Sequence, residues 1–275
     1  MNTVNSMDTE DGGPPFAAHT ARERRRARLL ARIAAGGIAV SVLAVVLVHL
    51  TAGPGYSILD NVMSEFVYSP NGTLIALAMF TMGLGSLALL LGLHLLRLIH
   101  RPLVTVLLAV WGGGLVIASV IPADPPGSVQ TGLTLTAEIH RWASTGGFIC
   151  LPLAALMMTG QLRASPDWRL TAGRMRGLAL CAAAILLLMA LVNWPGGRVM
   201  IGLVQRVLLA IEAGLVTVLV IGVLRATRPG RRDRVATPPA AGRLDPPRDA
   251  APAAGSEECG AGSAGSSGPA GPAPR

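Results

Sequence analysis

Six stretches of roughly 20 apolar residues, each without an internal run of charge, alternate with short polar segments along the middle of the chain. They cover about residues 33–52, 73–96, 103–121, 142–162, 177–195 and 201–224. Each is long enough to cross a hydrocarbon core of about 30 Å. In hydrocarbon the backbone must satisfy its own polar groups, so each stretch predicts a helix. The predicted architecture is all-α, a polytopic six-helix transmembrane bundle. The segment 57–67 differs in pattern. Ile58, Leu59, Val62, Met63 and Phe66 fall on one helical face, and Ser57, Asp60, Asn61, Ser64 and Glu65 on the other. That segregation predicts a short amphipathic helix lying at the outer interface, with Ser57 and Asp60 as a variant capping box.

Charge orients the bundle. All 23 basic residues are arginine, and lysine is absent. If the N-terminus is inside, 20 of the 23 fall on the inner side: the arm from Arg22 to Arg32, Arg97 and Arg101, Arg163 to Arg176, and Arg225 onward. Only Arg141, Arg198 and Arg206 fall on the outer side. Tyr56, Tyr68, Trp142 and Trp194 mark the outer interface, and Trp168 the inner one. Both ends are therefore expected in the cytoplasm, with the protein in the plasma membrane. The first apolar stretch is too long for a signal-peptide core and predicts an uncleaved anchor. The lysine-free composition, rich in Ala, Gly and Pro, fits a high-GC bacterial genome.

Composition sharpens the boundaries. Hydrophobic residues make up 51% of the chain and charged residues only 14%, well below the roughly 25% of a soluble domain. Polarity is concentrated in an Arg-rich arm, 1–32, and a tail, 226–275, that flank the membrane domain 33–225. The tail is dominated by Pro, Ala, Gly, Ser and Arg and lacks the apolar residues that would offset ordering entropy, so it is expected to be disordered. The net charge of +8 is explained by membrane topology and does not call for a nucleic-acid partner. Cys150, Cys181 and Cys259 have neither metal nor redox spacing. Glycines within the spans, among them Gly83, Gly85, Gly112 and Gly114, with Ala118 four residues on, predict close helix packing.

Polar residues that must reside in or beside the membrane are the candidates for function. Gln205 and Glu212 lie seven apart on the sixth span and share a face, about 10 Å apart along the axis. Glu212 is near mid-span, where an ionisable group is costly and is by default a functional candidate, with a buried structural carboxyl as the alternative. Arg206 lies near the outer end, where its planar fork is expected to neutralise a carboxylate, with Glu65 and Asp124 as the partners, or to grip an anionic headgroup. Glu138 and Arg141 are spaced to pair on one helical face, and His140 points toward the side of Ser144. His49 and His94 read as isolated packing residues near span ends. There is no phosphate loop, zinc helix or nucleophile elbow. A hydrolytic site built from Glu65, Asp124 and His140 is conceivable. No metal site or cofactor is assigned.

Four segments carry a resemblance. Tyr56-Ser57 to Ser64-Glu65 with Pro70-Asn71-Gly72, Ile121-Pro122-Ala123-Asp124-Pro125, Thr134 to His140, and Gly202-Leu203-Val204-Gln205-Arg206 are similar, in that order, to the six-span prokaryotic membrane family known as domain of unknown function nine hundred and ninety-eight. The resemblance covers about residues 33–225 and implies the fold and a polar outer face, with no established reaction. The expected protein is thus a bilayer-embedded bundle with a polar site at its outer end, formed by Asp60, Ser64, Glu65, Asp124, His140, Gln205 and Arg206 with Glu212 beneath. Recognition of a lipid or small amphiphile is the leading expectation. A lipid-modifying hydrolase and a small-molecule transporter are the rivals.

Overall fold

The structure, a computed structural model, describes residues 20–125, 134–194 and 197–228, and all regular elements among them are helical. Six helices are long and apolar enough to cross a membrane: α1 (Ala21–Thr51), α2 (Thr73–Leu95), α3 (Pro102–Val120), α4 (Leu135–Arg163), α5 (Arg169–Asn193) and α6 (Ile201–Ala226). Two 3-10 helices punctuate them, η1 (Met63–Tyr68) between α1 and α2 and η2 (Pro166–Trp168) before α5. Consecutive helices pack side by side, and α6 closes the ring on α1 while also touching α2 and α4. α6 is therefore the helix nearest the centre.

Several helices overrun their apolar stretches because capping, not hydropathy, decides where they begin. α1 starts at Ala21 rather than at 33, running through the arginines. Thr20 and Glu23 form a reciprocal capping box there, with the Thr20 hydroxyl accepting the Glu23 amide at 3.2 Å and Glu23 accepting the Thr20 amide at 2.9 Å. Residues 21–32 of the expected arm thus continue α1 as helix, and the tail beyond 228 lies outside the described residues. Thr134 likewise caps α4 through the Ala137 amide. Pro102 opens α3 at the first turn, where its missing amide costs nothing.

The glycines form seams. A Cβ on Gly37 or Gly85 would run into the backbone of Thr81 or Ala34 across the α1–α2 contact. Between α2 and α3 a Cβ on Gly83 would strike the Gly112 carbonyl and one on Gly112 the Leu87 side chain, and Gly114 meets the Ala143 carbonyl on α4. Gly113, by contrast, faces open space. Trp168 is buried against Gly222, which leaves room for its ring.

Candidate functional site

At the end of the bundle that carries η1, the chain between α1 and α2 does not form the single helix expected over 57–67. Short polar side chains bond to nearby backbone and to each other, which competes with helical pairing. Ser57 accepts the Leu59 and Asp60 amides at 3.2 Å each and donates to the Asp60 carboxylate at 2.9 Å. Asn61 accepts the Ser57 amide at 2.8 Å and donates to Glu65 at 2.8 Å. The result is a turn followed by η1. Met63 and Phe66 are buried beneath it, while Ile58 and Leu59, expected on the same face, are exposed.

The start of α6 clasps this segment. Gly202 is required because a Cβ there would strike the carbonyls of Ile58 and Asn61. The Leu203 amide, an orphan donor of the first helical turn, bonds the Leu59 carbonyl at 3.0 Å. Gln205 accepts the Met63 amide at 2.6 Å. Arg206 donates from Nε to His49 at 2.9 Å and from Nη1 to the carbonyls of Asn61 and Gly202 at 2.8 Å, and it stacks 4.9 Å from the Phe66 ring. The Gly-Leu-x-Gln-Arg segment and the first loop are therefore two halves of one clasp.

This corrects two expectations. Arg206 is paired with neither Glu65 nor Asp124, and His49 is not isolated. The Nδ1 of His49 lies 2.6 Å from the Val45 carbonyl, which can only accept. Nδ1 must carry the proton, so Nε2 offers its lone pair to Arg206 and the ring is neutral. The expected partners are engaged elsewhere. Glu65 lies 3.7 Å from Arg198, and Asp124 accepts the Thr134 hydroxyl at 2.6 Å and the Thr134 amide at 3.0 Å. Those bonds hold the Asp124 carboxyl below its ordinary range. Tyr68 donates to the Ala123 carbonyl at 2.5 Å, tying η1 to the same turn, and its phenol is pushed up by partial burial and by the Asp124 charge.

Beneath the clasp lies a cavity of about 550 Å³. Of the eight candidates, Ser64, Glu65, Asp124, His140 and Gln205 line it. Asp60 and Arg206 do not: Asp60 closes the Ser57 turn and accepts the Met200 amide at 3.4 Å, and Arg206 belongs to the clasp. Sequence reasoning missed Arg198, Ser144 and Asn193 on the polar part of the wall, and the apolar part formed by Trp111, Leu115, Phe148, Leu186, Met189 and Leu209. Nothing in their local pattern marks these residues, because only the packing of α3, α4, α5 and α6 brings them together. Trp111 is fixed by a 3.0 Å bond from its indole to Ser86.

α5 leaves this space open. Its buried residues, Thr171, Ala172, Met175, Ala179 and Ala182, end just past its midpoint. In its second half Ala190 and Asn193 line the cavity and are exposed, as is Ile149 facing them from α4.

Glu212 lies deeper. Gln205, Leu209, Glu212, Val216 and Leu219 repeat at heptad spacing on α6. The first two line the cavity, and the last two line a small void of about 10 Å³. Glu212 sits between them at 0% exposure, with neither carboxylate oxygen hydrogen-bonded to the described residues. The expected Glu138–Arg141 pair forms at 2.7 Å on the exposed face of α4. Among the described residues, no three His, Cys, Asp or Glu side chains come together in a metal-holding arrangement, so Glu65, Asp124 and His140 share a cavity without forming such a cluster.

Residues 33–222 match the family model described as protein of unknown function (DUF998). No curated protein and no solved structure matches the chain.

Proposed function

The chain belongs to this family of membrane proteins of unknown function, and on that footing we propose that it recognises a lipid or small amphiphile within its bundle. The supporting observation is the cavity itself, with polar groups under η1 and an apolar wall below. Its volume falls within the roughly 300–1,000 Å³ of small-molecule sites. The exposed lining on α4 and α5 makes a side entrance from the bilayer. A chain can lie against Phe148, Leu186 and Met189 while its headgroup stays near His140 and Asp124.

The arginine distribution supports placing this polar end outside the plasma membrane, with the arm 1–32 and the tail 226–275 in the cytoplasm. A reporter fused after Arg176 should then read cytoplasm; a reading of outside would reverse or break this topology.

Ala190→Trp tests the cavity. Ala190 is exposed on the loosely packed half of α5, so an indole there obstructs the entrance without disturbing a packed seam. Native mass spectrometry of protein extracted in mild detergent should show a retained amphiphile on the parent chain and its loss from the variant, at unchanged thermal stability. Equal retention would contradict the proposal.

A further inference from the structure

The lining of the cavity also discriminates between headgroups, because its cations are spoken for and its acceptors are not. Arg198 lies against Glu65 and Arg141 against Glu138, at 3.7 and 2.7 Å. The Gln205 oxygen is spent on the Met63 amide. Arg206 does not line the cavity; its Nε and Nη1 are committed to the clasp, and its Nη2 is buried with no hydrogen-bond partner among the described residues.

Beside the neutral hydroxyls and amide of Ser64, Ser144, Thr145 and Asn193, which can donate or accept, two acceptors of another kind remain. His140 lines the cavity at 5% exposure, and its Nδ1 sits 2.7 Å from the Ile121 carbonyl. A carbonyl cannot donate, so Nδ1 carries a proton and donates there, which leaves Nε2 as the acceptor of the ring in its neutral tautomer, with no hydrogen-bond partner among the described residues. Asp124 also lines the cavity, and no arginine lies within ion-pair distance of it among the described residues. Its two bonds among the described residues come from the neutral hydroxyl and amide of Thr134, one to each carboxylate oxygen, which leaves each oxygen further accepting capacity toward those residues. The bonds hold this carboxyl below its ordinary range, so it is ionised at neutral pH as an ordinary aspartate is.

We infer that the cavity selects a single-chain amphiphile whose headgroup is a protonated amine, its N–H groups donating to Asp124 and His140, and disfavours anionic headgroups. The inference rests on the proposed amphiphile site and names its ligand class. One charge-assisted hydrogen bond in such a site is worth roughly a tenfold change in affinity or more.

The test is competition by native mass spectrometry, in nanodiscs of phosphatidylcholine, between dodecylammonium, dodecyltrimethylammonium and dodecyl phosphate at equal concentration. The expected order of occupancy is dodecylammonium first, the trimethyl analogue (which carries the charge but no N–H) roughly tenfold lower, and the phosphate lowest. Asp124→Asn should bring dodecylammonium down toward the trimethyl analogue while leaving total occupancy measurable. Preferential binding of dodecyl phosphate, or equal binding of all three, would overturn the headgroup assignment while leaving the amphiphile site standing. If no probe binds the parent chain, the amphiphile site itself fails.

Discussion

The α1–α2 contact and the halves of α4 and α5 nearest η1 solve the same packing problem in opposite ways. Between α1 and α2, glycines remove side chains so that backbones touch, and Ala27, Ala31 and Ala34 are wholly buried. In lipid no hydrophobic force drives helices together, so close packing of this kind is what holds them. α5 packs comparably only as far as Ala182, and beyond it the bundle encloses space instead of side chains. Half of this molecule is scaffold. The other half keeps a cavity that tighter packing would have removed, and the clasp roofs it from above.

Mutations can break either side of that contrast. The largest effect is expected at the seam. Gly37→Leu places carbon against the Thr81 carbonyl, where only backbone movement can relieve it, and should cost about 3 kcal/mol in equilibrium unfolding. Gly113→Leu, facing open space, should cost far less. Similar losses at both sites would show that the glycine seams carry no special load.

Next comes the clasp. Arg206→Ala removes three hydrogen bonds and a stacking contact and should cost about 2–3 kcal/mol. Lysine should not substitute, since a single ammonium cannot reproduce the planar fork. Glu65→Gln or Asp124→Asn in the Arg206→Ala background should restore nothing, because neither is the partner left behind. Recovery with either would reinstate the ion pair expected from sequence.

Glu212 should shift stability less and in the opposite direction. Its oxygens have no partner among the described residues, so Glu212→Leu should be neutral or stabilise the bundle by about 1–2 kcal/mol. A clear loss of stability would mean that the carboxyl has a partner in the membrane, such as an internal water near the Ser86 void.

The smallest effect is the acid limb at Asp124. Its folded carboxyl titrates below the ordinary value, so its contribution is present above the unfolded pKa and is lost as pH falls through the folded one. Stability measured downward from about pH 4 should fall less in Asp124→Asn than in the parent. An identical slope would mean that the Thr134 bonds do not form.

How much of this was legible in the chain follows from the range of each signal. The six spans and their glycine seams are local patterns of hydropathy and size, and they appear in the expected order, with α1 and α4 running past their apolar stretches to their caps. The polar set was legible as a set, because each residue is costly near a membrane, but its pairing was not. Arg206 was assigned to carboxylates on charge alone, whereas a neutral imidazole, two carbonyls and a phenyl face surround it. His49 has no charged neighbour in sequence to flag it. The cavity was illegible for a further reason: a void is made by where α5 stops packing, and no residue type encodes that departure.

An experimental density map of the protein in lipid nanodiscs tests the central claim most directly. The account predicts elongated density against Trp111, Phe148 and Met189, ending near His140 and Asp124, with α5 standing away from α4 beyond Ala182. Density beside Arg206 instead, or α5 closed onto α4 over an empty interior, would contradict it.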